Sequence, residues 1–350
     1  MRSRAGGYKK NLSGEAEYVS FVPSKLPPEP EIVIDNELME LLSDAHRVLG
    51  ILEGVSSNIP DIDLFMAMYV RKEALMSSQI EGTQATLEDV LSPEVERNAN
   101  RDVKAVVNYV SATETAIELL KTLPLCCRLM RKIHAVLMED TRGSEKYPGE
   151  FRRSQNWIGG AGSTLKTARY IPPNVDDMKE CMSDLERYIN EDEGTDELVK
   201  IALIHYQFET IHPFLDGNGR VGRLLIILYL MEKGLLTLPA LYISYYLKAN
   251  RTEYYDRMSE VRRSGNYEQW VKFFLQAIIV SSENAIDTIR ALSTLKVKDM
   301  KLVKDMGRTA NTTTRILEYF ERTPLATIRH VSEDLMLSYG DSVFGSEKIM

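Results

Sequence analysis

The amino-acid sequence predicts a mainly α-helical protein, built as a helical bundle with one small β-hairpin. Two stretches carry apolar residues at helical spacing, one from Leu38 to Leu52 and one from Trp270 to Ile279, and such stripes face a common core. Between them, over residues 156–171, short β-prone stretches flank a glycine-rich run at 159–162. That pattern is typical of a hairpin with a tight tip.

The N-terminal part of the chain begins extended and then becomes helical. Prolines at positions 27, 28 and 30 exclude a helix there, and Asp35 can cap the first helix. A second helix is expected from about Asp61 to Gln79, stopping at Gly82 with Glu81 in its last turn. The charged stretch that follows it indicates a connection over 86–100. The same periodicity predicts further helices at about 102–121, 126–139, 175–191, 196–211, 219–233, 252–263 and 267–292.

Three regions follow from this organisation: an N-terminal helical region at 1–100, a core at 101–292 and a tail at 293–350. Many lysines and few large apolar residues occupy the start of the tail, 293–311, which fits either a linker or a solvated helix. Two short helices are expected beyond it, at Thr312–Arg322 and Thr327–Met336, with Thr327 as a possible N-cap.

Composition narrows the class of protein. The 350 residues include 43 basic and 51 acidic ones, a net charge of −8, which argues against attachment to nucleic acid or anionic lipid by bulk charge. The longest apolar run, Leu224–Met231, falls far short of the ~20 residues that cross a bilayer. The first 14 residues lack the apolar core of a secretory signal, and three cysteines form no disulfide or zinc pattern. A cytoplasmic protein with reduced thiols is therefore expected.

The segment from His212 to Arg223 is the part of the chain that indicates chemistry. It joins one predicted helix to the start of the next, and a helix N-terminus presents unpaired N–H groups and partial positive charge to an anion. Gly217 and Gly219 allow the backbone to approach a phosphate closely. The turn itself therefore predicts an anion site.

The side chains of this segment add a base, a cation ligand and two cations. His212 has an ordinary pKa of about 6.5, so it can accept a proton from a hydroxyl near neutral pH. Asp216 supplies the hard oxygen that Mg²⁺ prefers, and Arg220 and Arg223 are three residues apart on one helix surface. Phe214 anchors the loop to the core. Together they predict a Mg²⁺-dependent nucleotide or polyphosphate site with a histidine general base.

This segment resembles a family signature. His-Pro-Phe-Leu-Asp-Gly-Asn-Gly-Arg-Val-Gly-Arg agrees with the Fic motif HxFx(D/E)GNGRxxR at every fixed position, and the resemblance extends over about residues 15–290. Gly149–Arg152 and the hairpin ending in Tyr170–Pro173 look like the family's approach to its flap, and 250–255 look like its nucleotide-binding segment. The resemblance implies a Fic-type helical bundle with a β-hairpin flap.

The resemblance also implies an activity. Fic enzymes mostly transfer AMP from ATP to a Ser, Thr or Tyr hydroxyl of a protein, and pyrophosphate leaves. In that scheme His212 deprotonates the target hydroxyl, Asp216 holds Mg²⁺, and the flap around 158–162 aligns the target, which can be the enzyme itself. The residues implied to bind the nucleotide, with Tyr254 near the adenine or ribose, are Gly217, Asn218, Gly219, Arg220, Val221, Gly222, Arg223 and Tyr254.

A second pattern lies upstream of the motif. The segment 77–82 fits the inhibitory pattern (S/T)xxxE(G/N), with Ser77 and Glu81 four residues apart on one helix face. Its position resembles the class of Fic proteins with an N-terminal inhibitory helix in the same chain. The resemblance implies that Glu81 pairs with Arg223 and takes the cation that a γ-phosphate needs. The structural alternative is an ordinary helix end on the surface.

The tail and two alternative functions remain open. Residues 312–338 resemble the start of a winged helix–turn–helix, but the DNA-reading helix due near Tyr339 meets Gly340 and Asp341, which disfavours DNA binding. One alternative is a Fic relative that transfers another nucleotide or a phosphoryl group, and the other is a nucleotide-sensing DNA-binding regulator. Family members often dimerise, so a homodimer is among the expected partners.

Overall fold

The structure is a computed structural model that describes residues 4–57, 59, 62–91, 100–141, 143–160, 162–191, 194–323 and 325–338. Two antiparallel strands, β1 (Gly6–Asn11) and β2 (Tyr18–Pro23), precede the helices. The helices are α1 (Asn36–Ser56), α2 (Ile62–Ile80), α3 (Leu87–Leu91), α4 (Arg101–Leu120), α5 (Cys127–Leu137), α6 (Val175–Asn190), α7 (Glu197–Ile211), α8 (Asn218–Glu232), α9 (Ile243–Ala249), α10 (Arg251–Ser264), α11 (Tyr267–Lys304), α12 (Ala310–Arg322) and α13 (Ile328–Leu335).

Several helices begin where short polar side chains cap them. Asp35 Oδ1 accepts a hydrogen bond from the Leu38 N–H at 2.8 Å, as its place in the sequence predicts. The Thr327 hydroxyl accepts one from the His330 N–H at 3.2 Å, so the predicted cap of the last helix is also present. These caps fix the starts of α1 and α13 locally, before any packing is considered.

Helices α7 and α8 form the centre of the bundle. Every residue from Leu198 to Ile211 and from Asn218 to Leu230 is buried, so neither helix has a solvent face. α7 packs against α6, α8 and α11, and α8 also contacts α2, α4 and α5. The loop between α7 and α8, which carries the motif, is therefore held between two buried helices.

Helix α2 carries the predicted inhibitory segment and is docked on both sides. It packs against α4 and α9 and touches α8. Midway along it, the buried carboxylate of Glu73 accepts hydrogen bonds from the backbone N–H and the hydroxyl of Ser244, at the start of α9. The end of α2 is thereby brought to the start of α8.

The β-structure differs from the prediction. The paired strands lie at the N-terminus, where Gly6 is opposite Pro23. The expected flap hairpin over 156–171 is reduced to one antiparallel bridge between Ile158 and Tyr170. The glycine-rich tip contributes no ladder hydrogen bonds among its described residues, because it folds into its own turn, with Ser163 bonded back to Gly160.

The helices also depart from prediction in three places. A short helix, α3, lies in the stretch expected to be a connection, and α9 was not expected at all. α11 continues through 293–304, so the solvated-helix alternative holds there and the boundary placed at 293 falls inside a helix. The DNA-reading helix expected near Tyr339 lies outside the described residues. Within the described ranges, no helix combines the length and the apolar character that crossing a bilayer requires.

Candidate active site

The motif loop begins where α7 ends. His212 closes α7 with φ +52°, a left-handed conformation that few non-glycine residues adopt and that clusters at functional sites. Its N–H still donates to the Phe208 carbonyl at 2.9 Å, and Pro213 then prevents the helix from continuing. The imidazole therefore lies beyond the end of the helix, where His212 lines a cleft.

Buried polar side chains outside the motif hold this loop. Arg152 Nε and Asn156 Nδ2 donate to the His212 carbonyl at 3.0 and 3.2 Å. The His134 ring stacks on Phe214 with centroids 3.8 Å apart, and its Nε2–H donates to the Asp216 carbonyl at 3.0 Å. Sequence reasoning missed His134 and placed Arg152 and Asn156 only near the flap, because their partners are 15 to 82 residues away.

A cleft of about 780 Å³ opens beside the loop. Its walls come from the end of α2, the flap, the end of α7, the start of α8 and one face of α10. The residues that line it include Glu81, Glu209, His212, Gly219, Tyr255 and Arg262. The structure thus brings these six residues together although they span 181 positions of the sequence, from Glu81 to Arg262.

The His212 imidazole is arranged to accept a proton. Its Nδ1 lies 3.3 Å from the Glu209 carbonyl oxygen, which can only accept a hydrogen bond, so Nδ1 carries the proton and Nε2 is the basic nitrogen. Burial lowers the pKa of His212 to about 4, although the Glu209 carbonyl bond and the Glu81 charge oppose the shift. The ring is therefore neutral near pH 7, the form that a general base requires.

The predicted contact between Glu81 and Arg223 is present. Arg223 Nη2 donates to Glu81 Oε1 at 2.8 Å and to the Ser77 carbonyl at 2.9 Å, while Nε donates to Ser77 Oγ at 2.8 Å. Arg223 is 1% exposed, so its charge is fully engaged by the end of α2. Burial would raise the pKa of Glu81, but the Arg223 charge and hydrogen bond outweigh it and hold that pKa below its usual value.

Glu81 also occupies the start of α8. A Cβ added to Gly219 would collide with Glu81 Oε1, so glycine is required for the carboxylate to come this close. The N-terminus of a helix favours a negative group, and here that group is the Glu81 carboxylate. Gly217 serves the turn itself, since its φ of +76° is a glycine conformation.

Arg220 is buried and Asp216 is partly exposed beside the same helix start. Arg220 is 6% exposed, its Nη2 is 3.3 Å from Met138 Sδ, and its Nε has no hydrogen-bond partner among the described residues. Asp216 Oδ2 pairs with Lys146 Nζ at 2.9 Å, and Oδ1 accepts from the Gly217 N–H. No three His, Cys, Asp or Glu side chains cluster as a metal site within the part of the chain that is described.

Some predicted nucleotide contacts are placed elsewhere. The Asn218 side-chain amide donates a hydrogen bond to the Phe214 backbone carbonyl and accepts one from the Phe214 backbone N–H, each at 2.8 Å. The Asn218 side chain therefore shapes the loop. Val221 is fully buried in the core, and Gly222 faces Glu209, not the cleft. Tyr254 is 1% exposed, with its hydroxyl on His205 Nε2 at 2.9 Å. Its neighbour Tyr255, which belongs to the same predicted nucleotide-binding segment 250–255, lines the cleft instead.

The fold and this site define a known family. The model described as "Fic/DOC family N-terminal" matches residues 39–118, and the model described as "Fic/DOC family" matches residues 124–230. Together these matches cover more than half of the 350 residues, and the chain belongs to the Fic/DOC family.

Individual relatives agree with this assignment. Proteins named "Protein adenylyltransferase Fic" from Culex quinquefasciatus and Drosophila melanogaster are both 35% identical over 127 residues, or 36% of this chain. The matched part spans only 22% and 23% of their own lengths. A Fic family protein from Desulfovibrio desulfuricans shares the fold, with a TM-score of 0.60, 24% identity and coverage of 73% of this chain and 76% of that one. Fic-1 from C. elegans gives 0.54 at 17% identity, over 73% of this chain and 74% of that one.

Proposed function

We propose that this protein is an adenylyltransferase that moves AMP from ATP to a Ser, Thr or Tyr hydroxyl of a protein, itself included. The observation that carries the proposal is the His212 imidazole, which is neutral, lines the cleft, and has Nδ1 engaged by the Glu209 carbonyl so that Nε2 is the basic nitrogen. The names of the relatives support the same reaction.

The chemistry follows from these positions. His212 Nε2 takes the proton of the target hydroxyl, its oxygen bonds to the α-phosphorus, and the bond from that phosphorus to the bridging oxygen breaks, so pyrophosphate leaves. A base of this kind contributes about 10²- to 10⁴-fold. The amides at the start of α8 and the Arg220 and Arg223 guanidiniums stabilise the negative charge that the leaving group gains.

The residues present fit Mg²⁺ brought in with the nucleotide. Mg²⁺ in nucleotide sites takes one or two carboxylates and completes its shell with phosphate oxygens and water, and Asp216 supplies one such carboxylate, a third exposed. When bound, Mg²⁺ neutralises phosphate charge. Asp216 holds the ion in this proposal and gives up its pairing with Lys146 to do so.

Autoinhibition is the second part of the proposal. The Glu81 carboxylate takes both the charge of Arg223 and the position at the start of α8 that a terminal phosphate of ATP would occupy. A triphosphate arriving in the productive orientation meets a negative charge there and finds its cation engaged. The enzyme is therefore expected to be weakly active until α2 moves.

The test uses ATP labelled at the α-phosphate, Mg²⁺ and a denaturing gel. Wild type, Glu81→Gly and the double variant Glu81→Gly with His212→Ala are compared. Label is expected on the first two proteins, stronger in Glu81→Gly, and absent from the double variant. A parallel lane with γ-labelled ATP or α-labelled UTP separates AMP transfer from phosphoryl or UMP transfer. Label from either of those, with none from α-labelled ATP, would overturn the AMP assignment.

A further inference from the structure

A second cavity, of about 540 Å³, is lined by residues of α2 and of the tail helices α11 and α12. It shares no lining residue with the cleft that contains His212. Its volume falls within the ~300–1,000 Å³ that small-molecule sites occupy. The proposed reaction does not use this cavity, so a separate ligand is the question it raises.

The wall of this cavity is mainly apolar and rich in aromatic rings. Phe65 stacks on Tyr69 with ring centroids 4.4 Å apart, and Tyr69 stacks in turn on Tyr242. Leu317 and Phe320 of α12 also line the cavity, and α12 packs against both α2 and α11. An apolar group that enters such a cavity leaves water and gains contact with these rings. The cavity therefore suits a ligand with an apolar body.

One cation at the cavity has no anionic partner. Lys72 of α2 lines the cavity and is half-buried. Its Nζ lies 5.7 Å from the centroid of the Tyr242 ring, and no carboxylate of the described residues forms an ion pair with it. Helix α11 contributes Lys296 and Asp299 to the lining, so two lysines and one aspartate leave one positive charge. An anionic group beside Lys72 would gain a charge-assisted hydrogen bond.

We propose that this cavity binds a small amphipathic carboxylate. The apolar body of the ligand lies among the aromatic rings, and its carboxylate pairs with Lys72. Size, apolar lining and the unpaired ammonium each restrict the ligand in a different way. A neutral apolar molecule would leave the ammonium without a partner, and a small inorganic anion would leave the apolar wall uncovered.

The position of the cavity links this ligand to α2. Bound there, the ligand contacts α2 on one side and α11 and α12 on the other. These contacts exist together only while α2 is docked, so binding favours the docked helix. Glu81 follows the same helix nine residues after Lys72, about 14 Å along its axis. The ligand is therefore expected to inhibit, a consequence that rests on the proposed autoinhibition.

Binding is tested by isothermal calorimetry on the full chain, with octanoate and 1-octanol as probes. Octanoate is expected to bind saturably and about tenfold more tightly than 1-octanol, because only octanoate pairs with Lys72. Lys72→Met keeps the length of the side chain without its charge. It should weaken octanoate about tenfold and leave 1-octanol unchanged. The matched control is Lys179→Met, which removes an exposed lysine of α6 that does not line the cavity and should change neither affinity.

A second variant fixes the location of the probe. Ser293 of α11 lines the cavity, and Ser293→Phe should abolish octanoate binding by filling the space. Octanoate binding that survives this variant would place the ligand elsewhere and overturn the proposal. Equal affinities for octanoate and 1-octanol in wild type, or no saturable octanoate binding tighter than ~1 mM, would also overturn it.

The link to α2 is tested by amide hydrogen exchange, which needs no activity. At ten times its Kd, octanoate should slow exchange that requires undocking of α2 by about tenfold. Unchanged exchange in α2 at that concentration would overturn the link. In the labelling assay, octanoate should lower the initial rate of wild type but not that of Glu81→Gly. Failure of labelling in every lane leaves the calorimetry and the exchange measurable, so the two proposals fail separately.

Discussion

Arg223 Nη2 lies 2.8 Å from Glu81 Oε1, a contact between residues 142 positions apart in the chain. The guanidinium is 1% exposed and the carboxylate side chain 37%, so the pair is reached from the Glu81 side only. Disturbing Glu81 is therefore the gentlest way to free the cation, whereas removing Arg223 would leave buried partners unsatisfied.

Glu81→Gly is expected to raise AMP transfer and self-labelling by about tenfold or more, since 1.4 kcal/mol in nucleotide binding already gives that factor. The measurement is the initial rate of label incorporation. Glu88→Gly removes an exposed carboxylate on α3 and serves as the control, with no expected change. Equal rates in wild type and Glu81→Gly would end the autoinhibition proposal.

Ser77→Ala should lower the free energy of unfolding by about 1 to 3 kcal/mol, because it leaves the buried Arg223 Nε without its acceptor. Ser78 is an unusually close control, since its hydroxyl is equally buried yet has no hydrogen-bond partner among the described residues. Denaturant unfolding should show a clearly larger loss for Ser77→Ala than for Ser78→Ala. Similar losses in both variants would mean that the hydrogen bond contributes little.

The activity of the Glu81→Gly protein should not titrate between pH 5 and pH 8 on account of His212. Burial lowers the pKa of His212 to about 4. The imidazole is therefore fully deprotonated well below pH 7, and the active neutral form is lost only as the pH falls toward 4. The pH profile of kcat/KM for ATP at saturating target checks this. An acid limb centred near the ordinary histidine pKa of about 6.5 would contradict it.

Glu73→Gln should flatten part of the dependence of stability on pH. Burial raises the pKa of Glu73 to about 7, against lowering by Ser244 and Arg223, so the folded protein holds a proton that the unfolded chain releases near pH 4.5. Its contribution to stability is fully present below about pH 4.5 and is lost as pH rises through 7, by about 3 kcal/mol in total. The difference between wild-type and variant unfolding curves from pH 5 to 8 measures it. A pH-independent difference would show that Glu73 does not titrate there.

Substitutions at Tyr254 and Tyr255 should have different effects, one on protein stability and the other on nucleotide binding. Tyr255→Ala removes a ring from the cleft wall and should raise KM for ATP several-fold. Tyr254→Phe leaves the buried His205 Nε2 without its donor and should cost about 1 kcal/mol of stability with KM unchanged. The reverse pattern would restore Tyr254 to the nucleotide site.

The two tyrosines also show which structural features can be predicted from the sequence alone. Helical periodicity and caps such as Asp35 and Thr327 predicted the main helices, because those signals are local. Whether Tyr254 or Tyr255 meets the cleft depends on how α10 is rotated about its axis, which packing against α11 decides. Likewise, the resemblance places Gly222 among the nucleotide-binding residues, but in a sequence a missing side chain looks the same whether it makes room for a ligand or for a neighbouring carboxyl such as Glu209.

The β-structure illustrates the same limit. The middle of β1 is Tyr-Lys-Lys, and its middle residues are exposed or half-buried. The sequence of β1 therefore lacks the alternation of apolar and polar residues that predicts a strand. The strand exists because β2 is buried against the core and offers it an edge, with Phe21 N–H bonded to the Ile171 carbonyl. Strands held by distant partners escape local reasoning.

Glu81 and Arg223 belong to one chain, so in the proposed autoinhibition the inhibitory carboxylate is tethered to its target. An inhibitor tethered to its own target acts at an effective concentration fixed by geometry, and dilution cannot remove it. The fraction of molecules that are active at rest is then determined by a single equilibrium constant. That constant depends on how tightly α2 packs between α4 and α9. An activator must supply the free energy that separates α2 from α4 and α9. Only the interaction free energy beyond that amount contributes to the affinity with which the activator binds.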